Sequence, residues 1–317
     1  MTVAIVGEAI IDFIANAQGE YQPHLGGSPY NVAIGLARNG ESVSYLSPFS
    51  SDNFGELMHS SLRQEGVHIP LQRRSRYPTS LALVTTDANS QPSYTLYRQG
   101  IADTDITFAE IAAHLPADLT VLHTGSLAIT PSQLPKIREL LQLMQRRSIV
   151  ISLDLNIRLG ACLDTDAYLE GVRSLLPFAD LIKASDEDLA PLGFASDAER
   201  AARIAYGQQG KGMFVLTQGA GETVLFAGDR VLRYAPPAVA EVRDTVGAGD
   251  TFYAALLACL RRNGCCELPT IHDAATTIGE TALLQMLKYA NAAAAINVSR
   301  SGCAPPTRAE IQALLDA

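Results

Sequence analysis

From about residue 120 onward the chain alternates short apolar runs with amphipathic stretches at helical spacing, a pattern that few folds accommodate. Apolar runs at 121–124, 149–153, 179–184 and 212–217 read as strands, and helical patterns over 131–147, 166–175 and 196–208 separate them. Strands joined by helices of this length run parallel, and a parallel sheet has to be covered on both faces. The expectation is an α/β fold with a mainly parallel sheet flanked by helices. A length of 317 residues and 47% hydrophobic content are enough for a sizeable core.

The first third departs from that rhythm. Residues 2–6 form an apolar strand running into Gly7-Glu8-Ala9, and 10–13 continue it in extended form. A polar hairpin signal follows at 16–22. Residues 42–47 read as a strand and 52–65 as a helix closed by Gly66. A second hairpin combines 80–85, the turn chemistry of Asp87-Ala-Asn-Ser and 94–98. Strands without intervening helices do not fit a parallel sheet. They read as a small β-sheet lid over the site, formed by about 12–26 and 80–100, within one domain spanning 1–317.

Charge and cysteine usage exclude several function classes. The net charge is −9, and the dense basic groups Arg73-Arg74-Ser75-Arg76 and Arg146-Arg147 are too short to track a phosphate backbone, so no nucleic acid is expected. No apolar segment is long enough to span a membrane, and the start lacks signal-peptide character, which points to a cytoplasmic protein with no membrane partner. Cysteines 162, 259, 265, 266 and 303 lack Cys-x-x-Cys spacing and read as reduced structural thiols, and the six histidines are never paired at i, i+4.

The densest chemistry lies in Asp244-Thr245-Val246-Gly247-Ala248-Gly249-Asp250-Thr251-Phe252, just before an apolar helix. Glycines 247 and 249 let the backbone bend and turn its N–H groups outward, and the helix adds the positive end of its dipole: an anion hole. Asp250 inside it is either a helix cap or a base held beside an acceptor hydroxyl. A cap needs no glycines, whereas phosphoryl transfer needs both the amides and the base. There is no Gly-x-x-x-x-Gly-Lys-Ser/Thr, and Phe252 stands where a dinucleotide fingerprint needs its third glycine.

Asp-Thr-x-Gly-Ala-Gly-Asp resembles the second signature of the PfkB (ribokinase-like) carbohydrate kinases. Leu25-Gly26-Gly27-Ser28-Pro29-Tyr30-Asn31-Val32-Ala33 is similar to the first, Gly-Gly-x-x-x-Asn-x-Ala, and Gly7-Glu8-x-x-Ile11-Asp12 to the opening of many members. The likeness runs from Gly7 to Pro306. It implies a ribokinase-like fold whose lid serves many members in homodimer formation, with Asp250 as base and Gly247, Ala248 and Gly249 as anion hole. Asp12, Gly27 and Asn31 would hold sugar hydroxyls; on its own terms Asp12 is equally a turn aspartate at a strand end. Arg158 of Asp154-Leu155-Asn156-Ile157-Arg158 is either in a solvated turn or a phosphate clamp. Lys183-Ala-Ser185-Asp-Glu187-Asp188 is a capped helix start by itself, while the resemblance places Lys183 near the nucleotide. It also implies a Mg²⁺-organising acid here, with Asp188 aligned and Asp186 and Glu187 open alternatives. Thr217, Gly219 and Gly221 mark a nucleotide loop or an ordinary hairpin turn, and Asn291 lies in an adenine-lining or simply a packing helix over 280–298.

The resulting expectation is ATP-dependent phosphorylation of a sugar primary hydroxyl, with ATP and Mg²⁺, and a monovalent cation near Asp244 left open. A catalytically inactive sugar-binding relative is the alternative from a different class. Tyr97, Arg98 and Asp103 resemble the lid end of bacterial fructokinases and favour fructose. The rival is 2-keto-3-deoxygluconate, whose carboxylate needs arginines such as Arg98 and Arg158. A free Asp103 carboxylate would repel that acid and accept bonds from a neutral sugar.

Overall fold

The computed structural model describes residues 1–15, 19–86 and 92–317. Twelve strands are β1 (Thr2–Ile5), β2 (Ile10–Ala15), β3 (Tyr21–Gly26), β4 (Ser42–Tyr45), β5 (Ser80–Thr86), β6 (Pro92–Tyr97), β7 (Leu119–Gly125), β8 (Val150–Asp154), β9 (Leu181–Ser185), β10 (Met213–Thr217), β11 (Thr223–Ala227) and β12 (Arg230–Tyr234). They form an eight-stranded sheet in the order β12-β11-β10-β9-β8-β7-β1-β4 and a four-stranded sheet in the order β3-β2-β5-β6.

The large sheet is parallel from β4 through β10, because each link there carries a helix long enough to return the chain to the same edge. β11 and β12 are antiparallel, since the links at 218–222 and 228–229 are hairpin turns. Of this edge the sequence offered only the hairpin-turn alternative at 217–221; every residue of β11 is buried, so the strand shows no alternation to recognise.

Alternate residues serve opposite faces. Val3, Ile5, Val121, Val150, Leu181 and Val215 pack under the helices Ser28–Arg38, Ala248–Arg262 and Glu280–Val298. Ala4, Leu122, Ile151, Ile182, Phe214 and Leu216 pack under Leu134–Arg146, Thr165–Leu175 and Ala198–Gln209. Each fully buried Leu, Ile or Val contributes roughly 1.5–3 kcal/mol by leaving water, so the two layers fix the sheet from both sides.

The expected helices and strands occur within a few residues of their anticipated limits, and the Glu280–Val298 helix matches them. The 131–147 helix begins later, at Leu134, because Gln133 and Leu134 N–H groups close a turn on Thr130 O. One expectation is corrected. Residues 10–13 do not continue β1: the chain leaves the large sheet after Ile5, and Ile10–Ala15 enters the small one between β3 and β5. Asp12 therefore stands on the small sheet rather than at the end of strand one. The first hairpin signal lies partly, and the Asp87-Ala-Asn-Ser turn wholly, outside the described residues. No helix of the described residues is long and apolar enough to cross a membrane. Arg73 and Arg74 are paired with Asp105, Glu110 and Glu56, so that basic group is largely neutralised.

Candidate active site

The Ala248–Arg262 helix begins at Gly247, which takes the left-handed conformation (φ 71°); a Cβ there would overlap Cys303 Sγ. Only glycine meets both conditions without strain. In the helix's first turn the Gly249 and Asp250 N–H groups have no acceptor four residues back, which leaves them available to an anion. The Ala248 N–H, expected in the same hole, points instead to Thr245 O at 3.2 Å.

Asp250 is buried and is held from two sides. Asn31 Nδ2 donates to its Oδ2 at 2.8 Å, and Asn156 Nδ2 approaches Oδ1 at 3.4 Å. Asn31 comes from the first turn of the Ser28–Arg38 helix. Asn156 follows β8 with φ 36°, a left-handed conformation that asparagine tolerates better than most residues. Asp188 maintains that loop: one oxygen accepts the Ile157 N–H at 2.6 Å and the other the Ser185 N–H at 2.8 Å. Burial pushes the Asp12 carboxyl up to about 6, with Arg158 pulling it down and Asp250 pushing it up, so these three groups share one field.

Beneath the turn, Lys183 Nζ bonds both oxygens of buried Asp154 at 3.1 Å, and a Cβ on Gly249 would come within 3.0 Å of Nζ. Burial works against the Lys183 charge, but Asp154, Asp188 and Asp250 outweigh it and raise its pKa. A cation thus stands beneath the first turn of this helix.

A carboxylate beside free first-turn amides suits phosphoryl transfer, which needs both a base and donors for the transferred group. The model of the pfkB family carbohydrate kinases matches residues 2–310. The chain belongs to that family. This kinase is 33% identical over 259 residues to a fructokinase of Rhizobium leguminosarum bv. trifolii, covering 80% of this chain and 78% of that one. It is 29% identical to fructokinase-2 of Zea mays, over 99% and 93%. Among solved structures, fructokinase from Xylella fastidiosa with bound ATP superposes with a TM-score of 0.87 at 25% identity, covering 99% of this chain and 98% of that one. Fructokinase from Vibrio cholerae O395 in a fructose-, ADP- and calcium-bound form gives 0.83 at 25%, over the same shares. The fold is ribokinase-like.

Not every anticipated residue of the kinase stands as the sequence suggested. Arg98 and Asp103 bond each other at 2.8 and 3.2 Å, and the Asp103 side chain is only 3% exposed. The free carboxylate needed to repel an acidic sugar is therefore absent, and that charge argument is corrected. Tyr97 is 55% exposed at the end of β6. Gly27 has φ 106°, and a Cβ would stand 2.7 Å from Glu8 O, so this glycine is required by chain crossing whatever it binds. Both Asp188 oxygens are committed to backbone amides, and among the described residues no group of three or more His, Cys, Asp or Glu is placed to hold a metal ion. Asp244 likewise uses its oxygens on the Val246 and Gly302 N–H groups.

Thr217, Gly219 and Gly221 lie at and in the β10–β11 turn, where Gly219 has φ 54°. Asn291 is buried, accepting from Thr223 Oγ1 and donating to Leu287 O, which ties the Glu280–Val298 helix to the start of β11. Sequence reasoning missed Asn156 as a partner of Asp250, although its place two residues before Arg158 was in view. It also missed the buried His123–Ser152–Tyr253 chain that seats the Ala248–Arg262 helix on β8 and β9. Burial and the Lys183 charge hold His123 neutral, near 3. Lone polar residues in apolar strands carry no signal of which helix they meet.

Proposed function

We propose that this kinase transfers the γ-phosphoryl group of ATP to the primary hydroxyl of D-fructose, giving fructose 6-phosphate and ADP. The observation that carries the reading is Asp250, buried at the start of a helix and oriented by two neutral amides. Neutral donors aim the carboxylate at an acceptor hydroxyl. The sugar O–H gives its proton to Asp250 as its oxygen bonds to phosphorus, and the bond from phosphorus to the bridging oxygen breaks. First-turn amides at 249 and 250, with Lys183 behind them, face the charge on the transferred group. Asp12 accepts sugar hydroxyl bonds from the small sheet, and Arg158 steadies the transferred group. ATP fits this chain as an anion at a helix N-terminus. Mg²⁺ fits as an ion brought with the phosphates, since it keeps most of its waters and needs few protein ligands. An intact Asp250 speaks against an inactive sugar-binding relative.

Fructose rests on the fructokinase relatives named above. The sugar acid 2-keto-3-deoxygluconate is the second reading: Arg98 cancels the Asp103 charge, so nothing at that position repels a carboxylate, and the same pair commits Arg98, so Arg158 would have to meet the acid. Specificity constants for both sugars with ATP decide between them. We expect kcat/KM for fructose to be the larger, and a larger value for the acid makes the sugar-acid reading correct. A cytoplasmic homodimer through the small sheet, which functions as a lid, belongs to the same proposal. Sedimentation of the wild type tests it, with a monomer at assay concentration as the result against it.

A further inference from the structure

Four segments connect the small sheet to the large one: 6–9 into β2, 26–28 out of β3, 79–80 into β5 and 97–101 out of β6. The register sets Ile10 against both Gly26 and Ser80, and Leu81 against Tyr97, so all four meet at one end of the sheet. Buried charges occupy that end. Arg98, 11% exposed, donates to Ser80 Oγ at 2.8 Å and to both Asp103 oxygens. Buried Glu8 accepts the Ser28 N–H at 3.2 Å through Oε1, while its buried Oε2 has no hydrogen-bond partner among the described residues. Glu8, Arg98, Asp103 and Lys136 line a cavity of about 10 Å³, the scale of a single water. Ser126, Tyr45 and Tyr168 complete the polar and titratable surroundings of Glu8.

One charged residue from each of two segments, and a bonding partner from each of the other two, thus meet in one place. We propose that Glu8, Arg98 and Asp103 are positioning residues that set the angle of the small sheet over the sugar. The inference rests on reading the small sheet as the lid of a sugar site. Hydrogen bonds to charged groups in a buried cluster are the strongest that these links can make, and four links meeting at one end leave the sheet free to tilt when they loosen.

Amide hydrogen exchange and kinetics on Asp103→Asn, Arg98→Lys, Arg98→Gln and Glu8→Gln test this. In Asp103→Asn and Arg98→Gln the amides of β2 and β5 should exchange about tenfold faster, while β8 and β9 keep wild-type protection, as expected for a local unit. The KM for D-fructose should rise about tenfold with kcat changed by less than about twofold, the pattern of lost binding rather than lost chemistry. Arg98→Lys should recover part of the loss. Burial holds Glu8 up at about 7, so Glu8→Gln should flatten the wild-type change in sugar KM above about pH 6.5. Uniformly faster exchange in both sheets, a fall in kcat at constant KM, or an unchanged pH profile in Glu8→Gln would each overturn the proposal. If the wild type does not phosphorylate fructose, the substrate reading fails, and exchange in β2 and β5 still decides the positioning role.

Discussion

The side chains that hydrogen-bond Asp250 are both neutral amides, and this bears on how its role is tested. Asp250→Asn keeps the shape and both neighbours but cannot accept a proton, so turnover should fall by roughly 10²–10⁴ with sugar affinity retained. Steady-state rates with D-fructose and ATP measure it, and turnover within about threefold of wild type removes Asp250 as the base. Asp12 offers a second test. Its carboxyl is held up at about 6 chiefly by burial, so below that pH it is protonated and presents one fewer acceptor to a sugar hydroxyl. The KM for sugar should climb as pH falls through 6, and Asp12→Asn should lose that inflection. A wild-type KM flat from pH 7 to 5 argues against contact between Asp12 and the sugar.

At the scale of elements, the start of the Ala248–Arg262 helix brings the proposed anion hole and base, Gly249 and Asp250, next to the buried Lys183–Asp154 pair. Gly249→Val directs a side chain at Lys183 Nζ, the end of a flexible chain that is nevertheless fixed by Asp154. Phosphoryl transfer should be abolished while the fold persists, with a thermal midpoint lowered by a few degrees, corresponding to about 1–2 kcal/mol. Gly247→Ala should cost more stability, because it combines an unfavourable φ with overlap against Cys303. Thermal unfolding of the two variants side by side tests the ranking. A Gly249→Val protein that does not fold makes that glycine structural and withdraws the support that it gives to the anion hole.

For the whole molecule, acids held above their ordinary values contribute to the pH slope of stability, among them buried Glu8 and half-buried Asp12. Glu8 is raised from 4.5 to about 7 and Asp12 from 3.8 to about 6, both chiefly by burial. Between the unfolded and folded values the native state binds more protons than the unfolded one, so this contribution falls as pH rises from about 4 to 7 and is constant above 7. The urea midpoint of the wild type should therefore fall relative to that of Glu8→Gln between pH 5 and 7.5. A Glu8→Gln protein with the same slope as wild type means that Glu8 does not titrate in this window.

Much of this molecule was legible in its sequence because the information is local. Strand and helix periodicity over 121–217, the Gly-x-Gly-Asp turn and the small-sheet strands each depend on side chains within a few residues, and the phosphoryl-transfer reading followed from one nonapeptide. What only the tertiary structure decided is pairing between residues far apart in the chain. Asp250 meets Asn31 across 219 positions and Asn156 across 94. Arg98 and Asp103 are five apart and were both in view, but whether they faced a substrate or each other depended on the burial of the turn at 102–104 and the position of Ser80. Local pattern records which residues are apolar or free to bend. It does not record which charge meets which, because that is set by the packing of helices against a sheet whose register no single segment contains.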